Sequence, residues 1–304
     1  MKITKLKRIA LAGLVGSALA GSAVAHHNYT RPNVGDASRM LALYHFDNEP
    51  GTVGSEFSSP GFATPRGLRV STPTAGGATL TTTTDVAYPV LGPNSVQFNG
   101  RQSLVTTESF AETIEDCTIE FWIKWRPEMT SSTLLVGANA GPKVMITRDN
   151  TNSLNDRFGI QTAHGDFRSA PDFGDWTEWE SEPSTNGWWV VAMAIHSTGV
   201  DVEEDDHGHE DAVYKAGSYA IFFVNNHPVG LWGGDGAFLG KVDISGMALH
   251  DHSNLYVRCE EGAGVMVDDF IWWKEDLTRD GTELFDLFTN GRGEASGVDQ
   301  WGLY

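Results

Sequence analysis

The stretch TIEFWIKW, residues 118–125, alternates with a period of two. Its side chains divide into an apolar side and a mixed side: Ile119, Phe121, Ile123 and Trp125 against Thr118, Glu120, Trp122 and Lys124. This period is typical of a β-strand with one apolar face. Such a face needs a second layer to cover it. Because the chain offers almost no amphipathic helical segment, the pattern predicts that the second layer is another sheet.

Similar strand patterns recur along the chain, separated by segments rich in Gly, Asn and Pro. We predict strands at 41–46, 95–98, 133–136, 144–147, 158–161, 188–196, 219–224, 254–258 and 265–273. The Thr run 79–84 is either an edge strand or a solvated connection. Only residues 278–288 have a helical pattern. The sequence therefore predicts one all-β domain, a two-sheet antiparallel sandwich with one short C-terminal helix.

The first 25 residues have the sequence pattern of a signal peptide. Basic residues precede an apolar run, and Ala23-Val24-Ala25 provides a small-x-small cleavage signal. We therefore expect a secreted protein, extracellular or at the cell surface, with no other segment long enough to span a membrane. Residues 26–40 are predicted to be an extended arm, 41–291 the domain, and 292–304 a flexible tail.

The formal net charge is −19, and loss of the leader, which has no acidic residue, makes it more negative. This balance argues against nucleic acid or an anionic membrane as partner, because both attract a positive surface. Divalent cations are compatible with it.

Cys117 and Cys259 are the two cysteines of the chain. Each shares its strand parity with apolar neighbours, so both are expected to face inward. In an exported protein this predicts a disulfide, with two free buried thiols as the alternative.

Six motifs occur in an order that resembles a known family: LALYHFDNEPGT, SVQFNG, TIEFWIKW, NGWWVVAMAIH, YAIFFVNNHPVG and VMVDDFIWWKEDLT. Together they resemble the laminin-G-like jelly rolls of the concanavalin A-like lectin/glucanase superfamily, over residues 41–291. The resemblance implies a jelly roll of two curved sheets. Relatives of this kind include carbohydrate-binding modules, adhesive domains and glycanases.

The resemblance also implies a structural calcium ion near one edge, with Asp268 in the matching position, Asp269 beside it and Asp47 as a second contributor. Calcium takes six to eight oxygen ligands, including backbone carbonyls, which the Gly-rich segment 48–54 could present. The alternative is that these carboxylates bond backbone amides at turns.

Catalytic signatures are missing from the sequence. Glycanases need two nearby carboxyl groups, and the Glu-x-Asp-x-x-Glu run of the laminarinase relatives does not occur here. Glu120 and Lys124 could be catalytic, but a cross-strand ion pair is the simpler interpretation. The enzyme question stays open, with a non-catalytic protein favoured.

The ten Trp residues point to ligand binding. Most of those on strands are expected to be core. Trp176, Trp179 and Trp232 are predicted in loops, where packing gives no reason for them, so we expect them to contact a saccharide.

An acidic run with two histidines, DVEEDDHGHED at 201–211, is predicted to be a solvated insertion, with a metal site as the alternative. The favoured function is a lectin-like module that binds an extracellular polysaccharide or another matrix component. One alternative is a structural subunit of a matrix, fibre or surface layer that self-associates through its termini. A glycan hydrolase or lyase with an unrecognised site is the other.

Overall fold

A computed structural model describes fourteen segments of the chain. They are residues 40–47, 68–71, 80–86, 93–106, 115–125, 132–138, 141–149, 157–169, 188–204, 210–224, 227–234, 238–249, 255–260 and 265–277. The predicted signal peptide, the arm apart from Met40, the C-terminal helix and the tail lie outside these residues. So do Trp176 and Trp179.

The regular elements of the described segments are β-strands. In chain order they are β1 (Met40–Tyr44), β2 (Leu68–Ser71), β3 (Thr81–Thr83), β4 (Ser95–Phe98), β5 (Gln102–Thr106), β6 (Cys117–Trp125), β7 (Ser132–Ala138), β8 (Lys143–Arg148), β9 (Arg157–Thr162), β10 (Gly165–Arg168), β11 (Trp189–His196), β12 (Val200–Glu204), β13 (Glu210–Tyr214), β14 (Tyr219–Val224), β15 (His227–Pro228), β16 (Leu231–Trp232), β17 (Phe238–Leu239), β18 (Val242–Asp243), β19 (Ala248–Leu249), β20 (Leu255–Cys259) and β21 (Val265–Trp273). No helix within the described residues is long and apolar enough to cross a membrane.

The strands form two nine-stranded antiparallel sheets and a smaller one. The first sheet runs β15-β14-β11-β6-β21-β4-β3, with β1 on β21 and β18 on β14. The second sheet runs β17-β16-β10-β9-β8-β7-β20-β5-β2, and the third runs β12-β13-β19. This confirms the predicted all-β sandwich, of jelly-roll type. The Thr run contributes β3, which lies at one end of the first sheet and pairs with β4.

The predicted alternation of β6 is confirmed, and both of its faces are buried. Cys117, Ile119, Phe121 and Ile123 enter the core between the two large sheets. Trp122 belongs to a second apolar cluster on the opposite face of the first sheet, together with Trp188 and Trp273. The first sheet therefore has an apolar layer on each side.

β21 contains a β-bulge at two adjacent aspartates, Asp268 and Asp269, and both of their side chains are buried. The register with β6 shifts between Asp268 and Ile271, and Asp269 has a positive φ of 44°. The extra residue switches the alternation of the strand. Val265 and Val267 face the core before the bulge, and Phe270 and Trp272 face it afterwards.

Three segments predicted as loops contain strands. The acidic run 201–211 overlaps the paired strands β12 and β13 of the third sheet, and the buried residues of β13, Ala212 and Tyr214, lie beyond the run. Residues 165–168, for which no strand was predicted, form β10, and Trp232 lies in β16 rather than in a loop. The second sheet consequently extends three strands beyond the predicted strand at 158–161.

The predicted disulfide is absent, because Cys117 and Cys259 are both free, buried thiols. Both do face inward as predicted, since they enter the same core. However, they come from opposite layers, and packed sheets usually lie about 10 Å apart, whereas a disulfide needs Cα atoms within about 7 Å. The Cys259 Sγ instead lies 3.2 Å from the Ser132 hydroxyl, and burial raises the pKa of the Cys117 thiol.

Candidate functional site

The outer face of the second sheet follows directly from its alternation. The inward side chains of β7, β8, β9 and β20 are apolar and buried in the core: Leu134, Val136, Val144, Ile146, Phe158, Ile160, Leu255, Val257 and Cys259. The residues between them must therefore point outward. Among these outward residues are the cations Lys143, Arg157 and Arg258, and Arg168 joins them from β10.

One row of outward residues crosses five adjacent strands in register. Arg258 pairs with Leu135, Leu135 with Met145, and Met145 with Gly159. Gly159 in turn pairs with Arg168. The row therefore has an arginine at each end, and the short apolar stretch between them, Leu135 and Met145, is buried at 4% and 3% exposure.

The neighbouring backbone of β10 leaves no space for a side chain at Gly159. A Cβ atom at this position would lie 2.1 Å from the Phe167 carbonyl oxygen, so any larger residue would push β10 away. The row thus has no side chain between Met145 and Arg168. The surface beside Arg168 is left open.

An open pocket of about 780 Å³ lies at the Arg168 end of the row. It is lined by Arg157, Gly165, Asp166, Arg168, Ser169, Gly233 and Gly234. Its volume is within the range of small-molecule and saccharide sites. Two guanidinium groups and one carboxylate supply its charges.

The two arginines of the pocket each make one hydrogen-bonded contact with described residues. Arg157 Nη1 donates to the Ser169 carbonyl oxygen over 3.0 Å. Arg168 Nη2 donates to Asp166 Oδ2 over 2.9 Å, in an ion pair whose side chains are 44% and 36% exposed. A guanidinium has five N–H donors, so both groups retain donors for a ligand.

Towards the other end of the row, Arg258 and Tyr256 lie on β20, and Lys143 of β8 is in register with Tyr256 across Gly137 of β7. The Arg258 guanidinium lies over the Tyr256 ring, 5.5 Å from its centroid. Burial raises the pKa of Tyr256 to about 12. Burial, reinforced by the charge of Arg258, lowers the pKa of Lys143 below its usual 10.5. The two cations therefore raise each other's free energy, and a nearby anion would relieve this repulsion.

We call Lys143, Arg157, Arg168 and Arg258 the cationic face. Among the described side chains, Asp166 and Glu260 are the carboxylates that pair with it, and the Glu260 contact with Arg258 is a long 3.8 Å. The whole chain has a net charge of −19. The cationic face is thus a local positive region on an acidic protein, and its exposed arginines offer charged donors.

The chain matches no protein-family model, and no curated protein is a significant match. Solved structures with a similar fold include domain 4 of AbnA, an extracellular arabinanase of Geobacillus stearothermophilus, in complex with arabinotriose. It has 13% identity and a TM-score of 0.45, over 82% of this chain and 98% of that one.

Another is the binding domain of botulinum neurotoxin DC in complex with SialylT, at 12% identity and a TM-score of 0.47; the match spans 82% of this chain but only 51% of that one. A third is the VIP36 exoplasmic/lumenal domain bound to Ca²⁺ and Man3GlcNAc, at 8% identity and a TM-score of 0.35, over 68% of this chain and 83% of that one. Since all three likenesses are distant, the fold assignment depends on the sheets described above.

The predicted saccharide-binding residues divide into two groups. The backbone of Trp232 pairs with that of Arg168, and Gly233 and Gly234, which follow it, line the pocket. Trp232 is therefore next to the cationic face. Trp176 and Trp179 lie outside the described residues, and their role stays a prediction.

The cationic face itself was missed, although its signal is present in the sequence. Arg258 lies in a predicted strand, and Lys143 and Arg157 each come directly before one; all three stand out in a chain this acidic. Recognising them required the register that brings these strands together.

The carboxyl groups considered for catalysis are buried, and they pair differently from the prediction. Glu120 is 0% exposed and accepts a hydrogen bond from Trp273 Nε1 over 3.0 Å. Lys124 pairs with Asp85 at 2.9 Å rather than with Glu120. Asp268 is only 4% exposed. None of these groups lies on an open surface.

The predicted calcium ligands lie in β21 and after β1. Asp269 Oδ1 is 2.6 Å from His45 Nδ1, and Asp268 Oδ1 accepts the Asp269 backbone N–H over 2.9 Å. Among the described residues, no group of three or more His, Cys, Asp or Glu side chains is arranged to hold a metal ion. The segment 48–54, which was expected to add carbonyl ligands, lies outside them, so calcium stays a prediction.

Proposed function

We propose that this protein is an exported, lectin-like glycan-binding module, and that the outer face of its second sheet is the binding surface. The observation that carries the proposal is the row from Arg258 to Arg168, which ends in an open pocket. The face combines exposed arginine donors with an open pocket. A concave site with a few well-placed polar groups is what a small ligand such as a sugar requires.

Each part of the face has a separate task in this proposal. Leu135, Met145 and Tyr256 are only 4%, 3% and 6% exposed, so they would support the face rather than contact the sugar. The arginine donors would bind its oxygens, and their fixed fork geometry would select among sugars. The pocket beside Gly233 and Gly234 would accept one ring or branch.

A binding role is favoured over hydrolysis by the burial of Glu120 and Asp268. A glycosidase needs an acid and a second carboxylate on the two sides of a bound sugar. Glu120 and Asp268 are enclosed on the opposite side of the molecule from the cationic face, beside the second apolar cluster. We therefore assign no catalytic residue.

A glycan array with the purified protein and added calcium tests the function. A hit should be weakened about tenfold or more by Arg168→Ala and by Arg258→Ala, since each removes an exposed donor of the face. The matched control is Lys215→Ala, which removes an exposed cation from the end of the third sheet. Trp176→Ala and Trp179→Ala test the sequence-predicted loop separately. If both variants of the second sheet bind with unchanged affinity, the binding site is not on this face.

We also propose that a structural calcium ion binds near Asp47, Asp268 and Asp269, as the resemblance to laminin-G-like domains implies. The His45 contact would orient Asp269 for this purpose. Calcium should then raise the melting temperature, and Asp268→Ala should abolish that increase. An identical calcium response in the variant would remove Asp268 from the site.

A further inference from the structure

We infer that the ligand is an acidic glycan, with carboxylate or sulfate groups held by the two ends of the cationic face. This inference rests on the proposed function and specifies its substrate class. Lys143 and Arg258 form one anion-binding end, and Arg157 and Arg168 form the other. Four strand spacings separate Arg258 from Arg168, which is roughly 19 Å. A ligand that reaches both ends is therefore a chain with charges at intervals, which passes above the buried Leu135 and Met145 rather than against them.

The placement of charge favours an acidic ligand at this face. A protein with a net charge of −19 repels polyanions at long range. A polyanion can therefore bind only where cations dominate locally. The cationic face provides four such groups on one sheet, and the carboxylates of Asp166 and Glu260 are held at its margins by Arg168 and Arg258.

Two of the cations, Arg157 and Lys143, contact only uncharged oxygen atoms among the described residues. Arg157 contacts a carbonyl oxygen, not a carboxylate, and Lys143 Nζ likewise donates to the Gly141 carbonyl oxygen over 3.1 Å. A neutral sugar would leave these charges unneutralised. A carboxylate or sulfate would accept charge-assisted hydrogen bonds from them, and these are about twice as strong as neutral ones.

The existing ion pairs of the face are easy to replace. The Arg168–Asp166 pair is partly exposed, and exposed pairs contribute little to stability. The Arg258–Glu260 contact is longer still. A ligand anion can take over either guanidinium without breaking the fold.

The mutual repulsion of Lys143 and Arg258 supports the same conclusion. Burial and the charge of Arg258 lower the pKa of Lys143. In the free protein, the positive charges of Lys143 and Arg258 are therefore not fully neutralised. A bound anion would supply the missing negative charge.

The test compares the affinities of three polymers: polygalacturonate for carboxylates, chondroitin sulfate for sulfates, and neutral dextran. Calorimetry at low and moderate salt is sufficient. We expect at least one acidic polymer to bind at least tenfold more tightly than dextran, and added salt to weaken that binding. The preferred acidic polymer identifies the anionic group.

The variant is Arg168→Gln with Arg258→Gln, and the control is Lys215→Gln with Lys241→Gln, which changes the net charge equally away from the face. We expect the first pair to lose at least tenfold in affinity and the control to lose little. Both arginines are nearly half exposed, so the fold should survive. If the melting temperature falls nonetheless, Arg168→Lys with Arg258→Lys keeps the charge and should still lose bidentate binding.

The outcomes separate this inference from the proposed function. Preference for dextran, or for neutral glycans on the array, with loss on Arg168→Ala would refute the acidic ligand and leave glycan binding intact. Equal losses in the variant and the control would show non-specific attraction and would also refute it. Absence of binding to every glycan would overturn both.

Discussion

His45, which directly follows β1, places its imidazole Nδ1 only 2.6 Å from the carboxylate Oδ1 of Asp269 in the neighbouring strand β21. Asp269 is the extra residue of the β21 bulge and has a positive φ of 44°. Phe46, next to His45, also has a positive φ, of 60°. The hydrogen bond therefore connects two points at which the backbone leaves ideal strand geometry.

Substitutions at Asp269 should separate the hydrogen bond from the backbone conformation. Asn tolerates positive φ and keeps an acceptor oxygen, whereas Ala loses the acceptor and disfavours that conformation. We expect Asp269→Ala to lower the free energy of unfolding by about 1–3 kcal/mol more than Asp269→Asn. Urea denaturation measures both. Equal losses would mean that neither the bond nor the bulge matters for stability.

The indole of Trp273 and the carboxyl of Glu120 offer a second stability test. Trp273→Phe keeps an aromatic ring but removes the N–H that reaches the fully buried Glu120. We expect a loss of about 1–3 kcal/mol in the free energy of unfolding, because a buried acceptor loses a partner.

Glu120→Met gives the matched second arm of this test. If the bond accounts for the loss, removing both partners should cost less than the sum of the two single variants. Thermal or urea unfolding of all four proteins gives the coupling energy. Simple additivity would assign the loss at Trp273 to packing alone.

The long central strands could be predicted from sequence because their side chains face packed layers on both sides. β6, β11 and β21 carry enough apolar residues for the pattern to be unambiguous. The hairpin of β12 and β13 could not be found in this way. Its residues Asp201 and Val202 are exposed, so no buried face imposes an alternation on them.

The binding surface could be predicted only in part, for a related reason. Lys143 and Arg258 are 115 positions apart in the sequence, and only the pairing of β20, β7 and β8 brings them to one face. Local patterns predict which way a side chain points, but they do not give the order of strands in a sheet. Trp232 was found by composition, without the strand that carries it.

The two free thiols lead to a direct chemical prediction. Cys117 and Cys259 are fully buried, and burial raises the pKa of Cys117, which suppresses its reactive thiolate. The native protein, purified without reductant, should therefore react very slowly with an alkylating reagent. After denaturation, two labels per chain should appear in the intact mass. If the denatured chain takes up no label, Cys117 and Cys259 form a disulfide after all.

The lowered pKa of Lys143 predicts how the binding of an acidic glycan depends on pH. Its pKa is below 10.5 in the free protein, and a bound anion stabilises the charged form, so binding raises that pKa. Affinity should then be constant at lower pH and should fall once the pH rises through the lowered pKa of free Lys143. Tyr256, with its pKa raised to about 12, stays neutral in this range and adds no negative charge.

The variant Lys143→Arg isolates this effect, because arginine keeps its charge at every pH at which the protein is folded. Calorimetric titrations of polygalacturonate or chondroitin sulfate from about pH 7 to pH 10 would compare the two proteins across the region below the ordinary lysine pKa. We expect the original protein to lose affinity in the alkaline part of this range, while the variant holds it nearly constant. An identical decline in both would show that the proton comes from another group, and that Lys143 does not contact the anion.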